Sequence, residues 1–293
     1  MPGPTASSQS AKASVVLEAA AASLAVAGVG SAQLDAQLLL AAAAHVDRAA
    51  LLSGSVDLPP ETLARFAAMM DRRAAREPVA YILGRREFYS LEFEVNREVL
   101  IPRPQTETVV DAALEFIAER PGARVLELGT GSGAIAVALA ANAPRVSVVA
   151  TDIRHCALAL ARRNAVSTNV AERIGFVAAD LFERLETGPT LGRFDLVVSN
   201  PPYVVDDQIA ALEPEVRNFE PQVALRGGPD GLEFFRRIAA GVRSHLALDG
   251  LVVLEVGAGQ DRAVAAILAA AGMHPAGVIK DLDGVARVVT ARP

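Results

Sequence analysis

The chain has 293 residues, 52 % of them apolar, enough for one large core or two ordinary domains. A formal net charge of −6 gives no general attraction to nucleic acid or to an anionic membrane surface. Cys156 is the sole cysteine, which excludes an intramolecular disulfide and a thiolate metal cluster and fits a reducing, cytoplasmic setting.

Residues 1–13 are rich in Pro, Ser, Gly and Thr and show no periodicity, so a disordered tail is expected there. They do not form a secretory signal, because Glu18 interrupts the apolar run that follows. The run Leu38–Ala44 is too short to cross a bilayer, which needs about 20 residues, and reads as a buried helix. No membrane association is expected.

Residues 14–84 have a helical pattern, with Ala and Leu dominant and few β-branched residues. Ser31 is placed to N-cap a helix running to about Val46, and Pro59-Pro60-Glu61 opens another over Glu61–Arg76. A bundle of four or five short helices is expected as an N-terminal domain. Arg72, Arg73, Arg76, Arg85 and Arg86 form a basic concentration, readable as a solvated helix face or as a contact for RNA or an acidic partner. Residues 85–101 change character. The aromatic and β-branched stretch Phe88–Val95 predicts a β-hairpin linker.

A second domain, residues 102–293, opens on the extended entry Pro102-Arg103-Pro104. Thr106 then stands as the cap of a helix over Glu107–Glu119. From there strands and helices alternate. Strands are expected at Arg124–Leu128, Val146–Asp152, Ile174–Ala178, Asp195–Ser199 and Leu251–Val256, which implies parallel βαβ units. Cys156 falls on an Ala-rich helical stretch and is expected to pack there. The end differs: Ala276–Lys280 and Arg287–Ala291 flank Asp281-Leu282-Asp283-Gly284, a hairpin signal.

Two motifs carry chemistry. The first is Glu127-Leu128-Gly129-Thr130-Gly131-Ser132-Gly133, a glycine-rich turn between the first parallel strand and the helix Ala134–Asn142. Glycines let the backbone approach a ligand and adopt positive φ. The Gly-x-Gly-x-Gly spacing lacks the interval of the dinucleotide fingerprint, although a nicotinamide enzyme stays open on this motif alone. Asp152 ends the next strand, where a carboxylate accepts from ribose hydroxyls or caps the following helix. Asp180 follows the third strand, placed to accept from an adenine amino group, with Leu181 or Phe182 against the ring.

The second motif is Asn200-Pro201-Pro202-Tyr203, delivered by the apolar run Phe194–Val198 to the carboxyl edge of the sheet. The two prolines donate no N–H, and the first holds Asn200 extended. Asn200 Oδ1 and the Pro201 carbonyl together suit the two N–H bonds of a planar NH2 group, with Tyr203 to stack on it. A carboxamide and the exocyclic amine of a nucleobase both qualify.

The chain resembles the release-factor glutamine methyltransferases, the HemK/PrmC family. The matching stretches are Gly84-Arg85-Arg86-Glu87-Phe88, residues 101–107, 127–133 and 199–203, Glu220-Pro221, and residues 281–284 with Arg287-Val288-Val289. The resemblance implies an α/β, Rossmann-like S-adenosylmethionine-dependent methyltransferase. Its mostly parallel seven-stranded sheet would carry an antiparallel terminal strand, with the helical domain recognising substrate. It implies transfer of a methyl group to the side-chain amide N5 of the glutamine in the Gly-Gly-Gln motif of class I peptide-chain release factors, met free or on the ribosome. Carried over, Asn200, Pro201, Pro202 and Tyr203 are catalytic. Glu127, Gly129, Thr130, Gly131, Ser132, Gly133, Asp152, Asp180, Leu181 and Asn200 bind S-adenosylmethionine. Gln105 departs from the family pattern, which has an acidic residue there, and Leu181 stands where some members have an aromatic.

Two other readings compete. A DNA or RNA adenine-N6 methyltransferase would flip its base and want a basic, groove-contacting region. The net charge and the Ala-rich helices supply none, so no sequence-specific nucleic-acid binding is expected. A non-enzymatic cofactor-binding module would have no use for an intact Asn-Pro-Pro-Tyr. His45, His155, His245 and His274 show no ligand spacing, and no metal is expected.

Overall fold

The computed structural model describes residues 13–53, 56–183, 185 and 193–293. The expected tail therefore lies, but for Ala13, outside the described residues. In chain order the helices and strands are α1 Ala13–Val26, α2 Ala32–Ala44, α3 Arg48–Leu52, α4 Pro60–Ala74, α5 Val79–Leu83, β1 Arg85–Phe88, β2 Leu91–Glu94 and α6 Glu107–Ala118. There follow β3 Arg124–Leu128, α7 Ala134–Asn142, β4 Ser147–Asp152, α8 His155–Ser167, β5 Ile174–Ala178 and β6 Phe194–Ser199. The chain ends with α9 Pro214–Phe219, α10 Glu233–His245, β7 Leu246–Glu255, α11 Asp261–Ala270, β8 His274–Lys280 and β9 Ala286–Arg292.

The chain divides into two compact units, one holding α1–α5 together with α9, the other holding the remaining elements. In the first, Leu24, Leu39, Leu40, Leu51, Leu58 and Phe66 bury their side chains in a common core. Helix α4 starts on Pro60, whose missing N–H costs nothing in a first turn, and ends on Arg72 and Arg73, which suit the negative end of the helix dipole. Ser31 makes no capping hydrogen bond. Its hydroxyl donates instead to Asp35 Oδ1 at 2.9 Å.

The arginine cluster divides: Arg85 stays exposed on β1, paired with Glu92 at 3.1 Å, while the three arginines of the helical unit are engaged by carboxylates of that unit. Arg73 is buried, donates to Asp35 Oδ2 at 2.7 Å and pairs with Glu215 of α9 at 2.8 Å. Arg76 reaches Glu215 Oε2 at 2.6 Å, and Arg72 pairs with Glu77 at 2.8 Å. Burial alone would raise the Glu215 pKa, but the hydrogen bonds from Arg76 and Arg73 outweigh it and hold the carboxyl at about 2.

In the second unit seven strands form one sheet in the order β5-β4-β3-β6-β7-β9-β8. β3, β4, β5, β6 and β7 run parallel, while β9 lies antiparallel to both β7 and β8. This is the α/β sheet with an antiparallel terminal strand that the sequence predicts. Central strands are uninterrupted apolar runs because both faces are covered. Leu126, Leu128, Val197, Val252 and Leu254 are fully buried, and Phe235, Ile238, Val242 and Leu268 pack over them from α10 and α11.

β1 and β2 close on Tyr89 and Ser90, with φ of 52° and 59°, the left-handed pair that suits a two-residue hairpin. The hairpin is tied to the sheet unit: Tyr89 N–H and O–H donate to Glu107 and Asp111 of α6 at 2.9 and 2.7 Å. Cys156 is helical but exposed, contrary to the expected packing, with Sγ 3.1 Å from Glu98 Oε2. The buried face of α8 is supplied by Ala157, Leu160, Ala161 and Asn164 instead.

Candidate active site

The carboxyl ends of β3, β4 and β6 open onto a cleft in the second unit. Glu127, Gly129, Thr130, Gly131, Ser132, Asp152, Asp180, Leu181, Asn200, Pro201 and Pro202 all line it. Sequence positions spread over some seventy residues thus meet where open α/β sheets bind ligands.

The glycine turn is held by its own polar groups. Glu127 is buried and accepts from Thr130 Oγ1 at 2.6 Å and from Ala136 N at 3.1 Å. Burial pushes its carboxyl up to about 8, against the pull of those two donors. Gly131 N donates to Asp152 Oδ2 at 2.9 Å, and Asp152 Oδ1 accepts from Arg154 N at 2.9 Å. Asp152 also has a raised pKa, chiefly through burial. A Cβ at Gly129 or Gly131 would meet no atom within 4 Å, so the space over the turn is free for a ligand. Gly133 does not line the cleft. It seats α7 at φ 82°, where a Cβ would stand 3.0 Å from Ala161 Cβ.

Asp180 is paired with Arg237 of α10 at 2.8 Å, and both line the cleft. Leu181 lines it too, at an unusual positive φ of 54°. Phe182, the other ring-packing candidate, stacks on His245 at 4.6 Å in the core behind.

Asn200 follows β6 directly. Its Nδ2 donates to Thr106 Oγ1 at 3.1 Å, while its Oδ1 accepts no hydrogen bond among the described residues. Thr106 therefore makes no capping bond to α6, the role its sequence position suggests. Its hydroxyl donates to Glu255 Oε2 at 2.6 Å. Arg103, at the rim, donates to the buried Glu220 at 2.6 Å. Tyr203 lies off the cleft lining. Its ring packs against the sheet core, and burial pushes its hydroxyl up to about 12.

Sequence reasoning missed Glu255, although it stands at the end of a buried strand as Asp152 does. It also missed the glycines that cage the turn. A Cβ at Gly227 would lie 2.7 Å from Tyr203 Cα, and one at Gly231 would lie 2.5 Å from Tyr203 O. Gln260 Nε2 donates to that same carbonyl at 3.1 Å. Gly227→Ala should displace the Asn200–Tyr203 turn. A misplacement of about 1 Å costs on the order of a hundredfold in turnover, to be read against unchanged circular dichroism.

Among the described residues no group of three or more His, Cys, Asp or Glu is arranged to hold a metal ion. No helix among them is long and apolar enough to cross a membrane.

The family model described as PrmC N-terminal domain matches residues 16–84, and the one described as Methyltransferase small domain matches residues 108–214. The chain is 46 % identical over 282 residues to the release factor glutamine methyltransferase of Cereibacter sphaeroides, covering 96 % of this chain and 98 % of that one. It is 40 % identical over 264 residues to the protein of the same name from Caulobacter vibrioides, covering 90 % of each. A solved methyltransferase from Pyrococcus furiosus shares the fold, with a TM-score of 0.51 at 18 % identity over 77 % of this chain and 96 % of that one. The chain belongs to the family of release factor glutamine methyltransferases.

Proposed function

We infer that this chain transfers a methyl group from S-adenosylmethionine to the side-chain amide N5 of the glutamine in the Gly-Gly-Gln motif of class I release factors. The observation that carries the reading is Asn200, lining the cleft beside the glycine turn with its NH2 committed to Thr106 and its Oδ1 unclaimed. An oxygen presented in this way suits an amide N–H.

The donor set fits the cofactor. The open space over Gly129 and Gly131 admits the amino-acid end, and the carboxylates of Asp152 and Asp180 suit ribose hydroxyls and an adenine amine. Glu127, Thr130 and Ser132 shape the turn, Gly133 closes it, and Leu181 supplies an apolar wall. When bound, S-adenosylmethionine supplies an electrophilic methyl carbon. Asn200 Oδ1 and the Pro201 carbonyl accept the two amide N–H bonds and orient the nitrogen. They also stabilise the positive charge that develops on it until the methylated nitrogen gives up one proton to water, the neutral thioether of the spent cofactor being the leaving group. Pro202 stiffens the turn, and Tyr203 supports it from the core side.

In this reading the helical unit recognises the release factor, free or ribosome-bound, in the cytoplasm. No contact with nucleic acid is needed.

Incubation with methyl-labelled cofactor and, separately, release factor, duplex DNA and structured RNA tests the reading. Label should enter the release factor alone and vanish when the Gly-Gly-Gln glutamine is changed to alanine. Label confined to nucleic acid would overturn it.

A further inference from the structure

Glu255 lies outside the cleft lining, yet it is one of the most buried carboxyl groups in the sheet unit, at 2 % exposure. Ser199 of β6 pairs in register with Leu254 of β7, so Asn200 and Glu255 emerge side by side from neighbouring parallel strands. Thr106, itself buried, bridges them: Asn200 Nδ2 donates to Thr106 Oγ1 at 3.1 Å, and Thr106 Oγ1 donates to Glu255 Oε2 at 2.6 Å.

A threonine hydroxyl has one proton and two lone pairs. Once the proton is given to Glu255, only lone pairs remain to face Asn200. They demand the NH2 end of the amide. The two ends of an asparagine side chain are nearly the same size, so sterics alone do not choose between them. The choice is made by the direction in which the hydroxyl donates. The Asn200 side chain also favours the ionised form of the Glu255 carboxyl, which takes only donors.

We propose that Glu255 is a positioning residue that acts through Thr106 to fix the polarity of the Asn200 amide, so that Oδ1 rather than Nδ2 is presented to the acceptor amide. The proposal rests on the reading of Asn200 as the acceptor-holding residue. Without the carboxylate, the Thr106 hydroxyl is free to donate to Oδ1. The amide then turns round and offers NH2 to NH2.

The arrangement has a pH signature. Burial raises the Glu255 pKa to about 7, against the Thr106 hydrogen bond and the nearby charges of Arg287 on β9 and Arg103 before α6. Tyr203, which follows Asn200, also faces the carboxyl. Above that pH the carboxylate is ionised and accepts from Thr106. Below it the protonated carboxyl can donate, and the relay can run backwards.

The test compares Glu255→Leu, Thr106→Val and Thr106→Ser in the full chain, with release factor as methyl acceptor and calorimetry for cofactor affinity. Glu255→Leu and Thr106→Val should each lower kcat on the order of tenfold to a hundredfold, the scale of one lost oriented group. Cofactor Kd in Glu255→Leu should stay unchanged. The double variant should be no slower than the worse single, since both break one relay. Thr106→Ser should recover most of the rate that Thr106→Val loses. The wild-type rate should fall as pH drops through about 7, and this acid limb should be absent in Glu255→Leu and shallower in Thr106→Val. Multiplicative losses in the double variant, or an acid limb that persists in Glu255→Leu, would overturn the relay. So would a full kcat in Glu255→Leu. Wild-type protein that labels no release factor would instead overturn the functional reading.

Discussion

Asn200→Ala should remove nearly all methyl transfer while leaving the cofactor bound. The side chain supplies one of the two acceptors proposed for the amide, and loss of one preorganised polar partner of a transition state costs about 10²–10³ in kcat. The glycine turn, Asp152 and Asp180 are untouched by the change, so calorimetric affinity for S-adenosylmethionine should largely persist. Asn200→Asp is the sharper companion. It keeps the acceptor oxygen but loses the NH2 that Thr106 receives, and it sets a second carboxylate against Glu255. Its turnover should fall nearly as far. Loss of cofactor binding together with turnover in Asn200→Ala would mean that Asn200 belongs to the cofactor and not to the acceptor.

The second large effect is structural. Arg73→Met should destabilise the helical unit by about 3–5 kcal/mol, because it leaves the buried carboxylate of Asp35 without its cation. Hydrogen exchange on α2 and α4 is the appropriate readout in a chain with two units, and their slowest amides should exchange on the order of a hundredfold faster or more. Exchange unchanged in both helices would refute the assignment. Glu215 adds a pH dependence of definite sign. Its pKa in the fold is about 2, below the unfolded value of about 4.3. Its stabilisation is therefore complete above the unfolded value and is lost as pH falls from about 4 towards 2. Glu215→Gln should flatten that acid limb.

The sheet was legible because each central strand is a buried apolar run ending in a chemically distinctive residue. Arg124–Leu128 leads into the glycine turn, and Phe194–Ser199 leads into Asn200. The residues that line the cleft at those strand ends were legible for the same reason. What escaped was set by partners remote in sequence. A threonine ahead of Glu107 reads locally as a helix cap, but its hydroxyl goes to a carboxylate 149 residues away. Arg73 and Arg76 read locally as a basic face, but Glu215, 142 and 139 residues on, accepts from both, and Arg73 also pairs with Asp35. Gly227 and Gly231 carry no motif, and their need for a hydrogen side chain shows only where Tyr203 crosses them. Cys156 lies on the correct helix, but the Ala-rich sequence around it has too little amphipathic contrast to say which face is buried.

Mapping the methyl group is the most direct test of the proposed transfer. Release factor treated with this protein and S-adenosylmethionine should carry one added methyl group, and fragmentation mass spectrometry should place it on the side-chain amide of the Gly-Gly-Gln glutamine. A methyl group on any other residue, or an unmodified glutamine after exhaustive reaction, would contradict it.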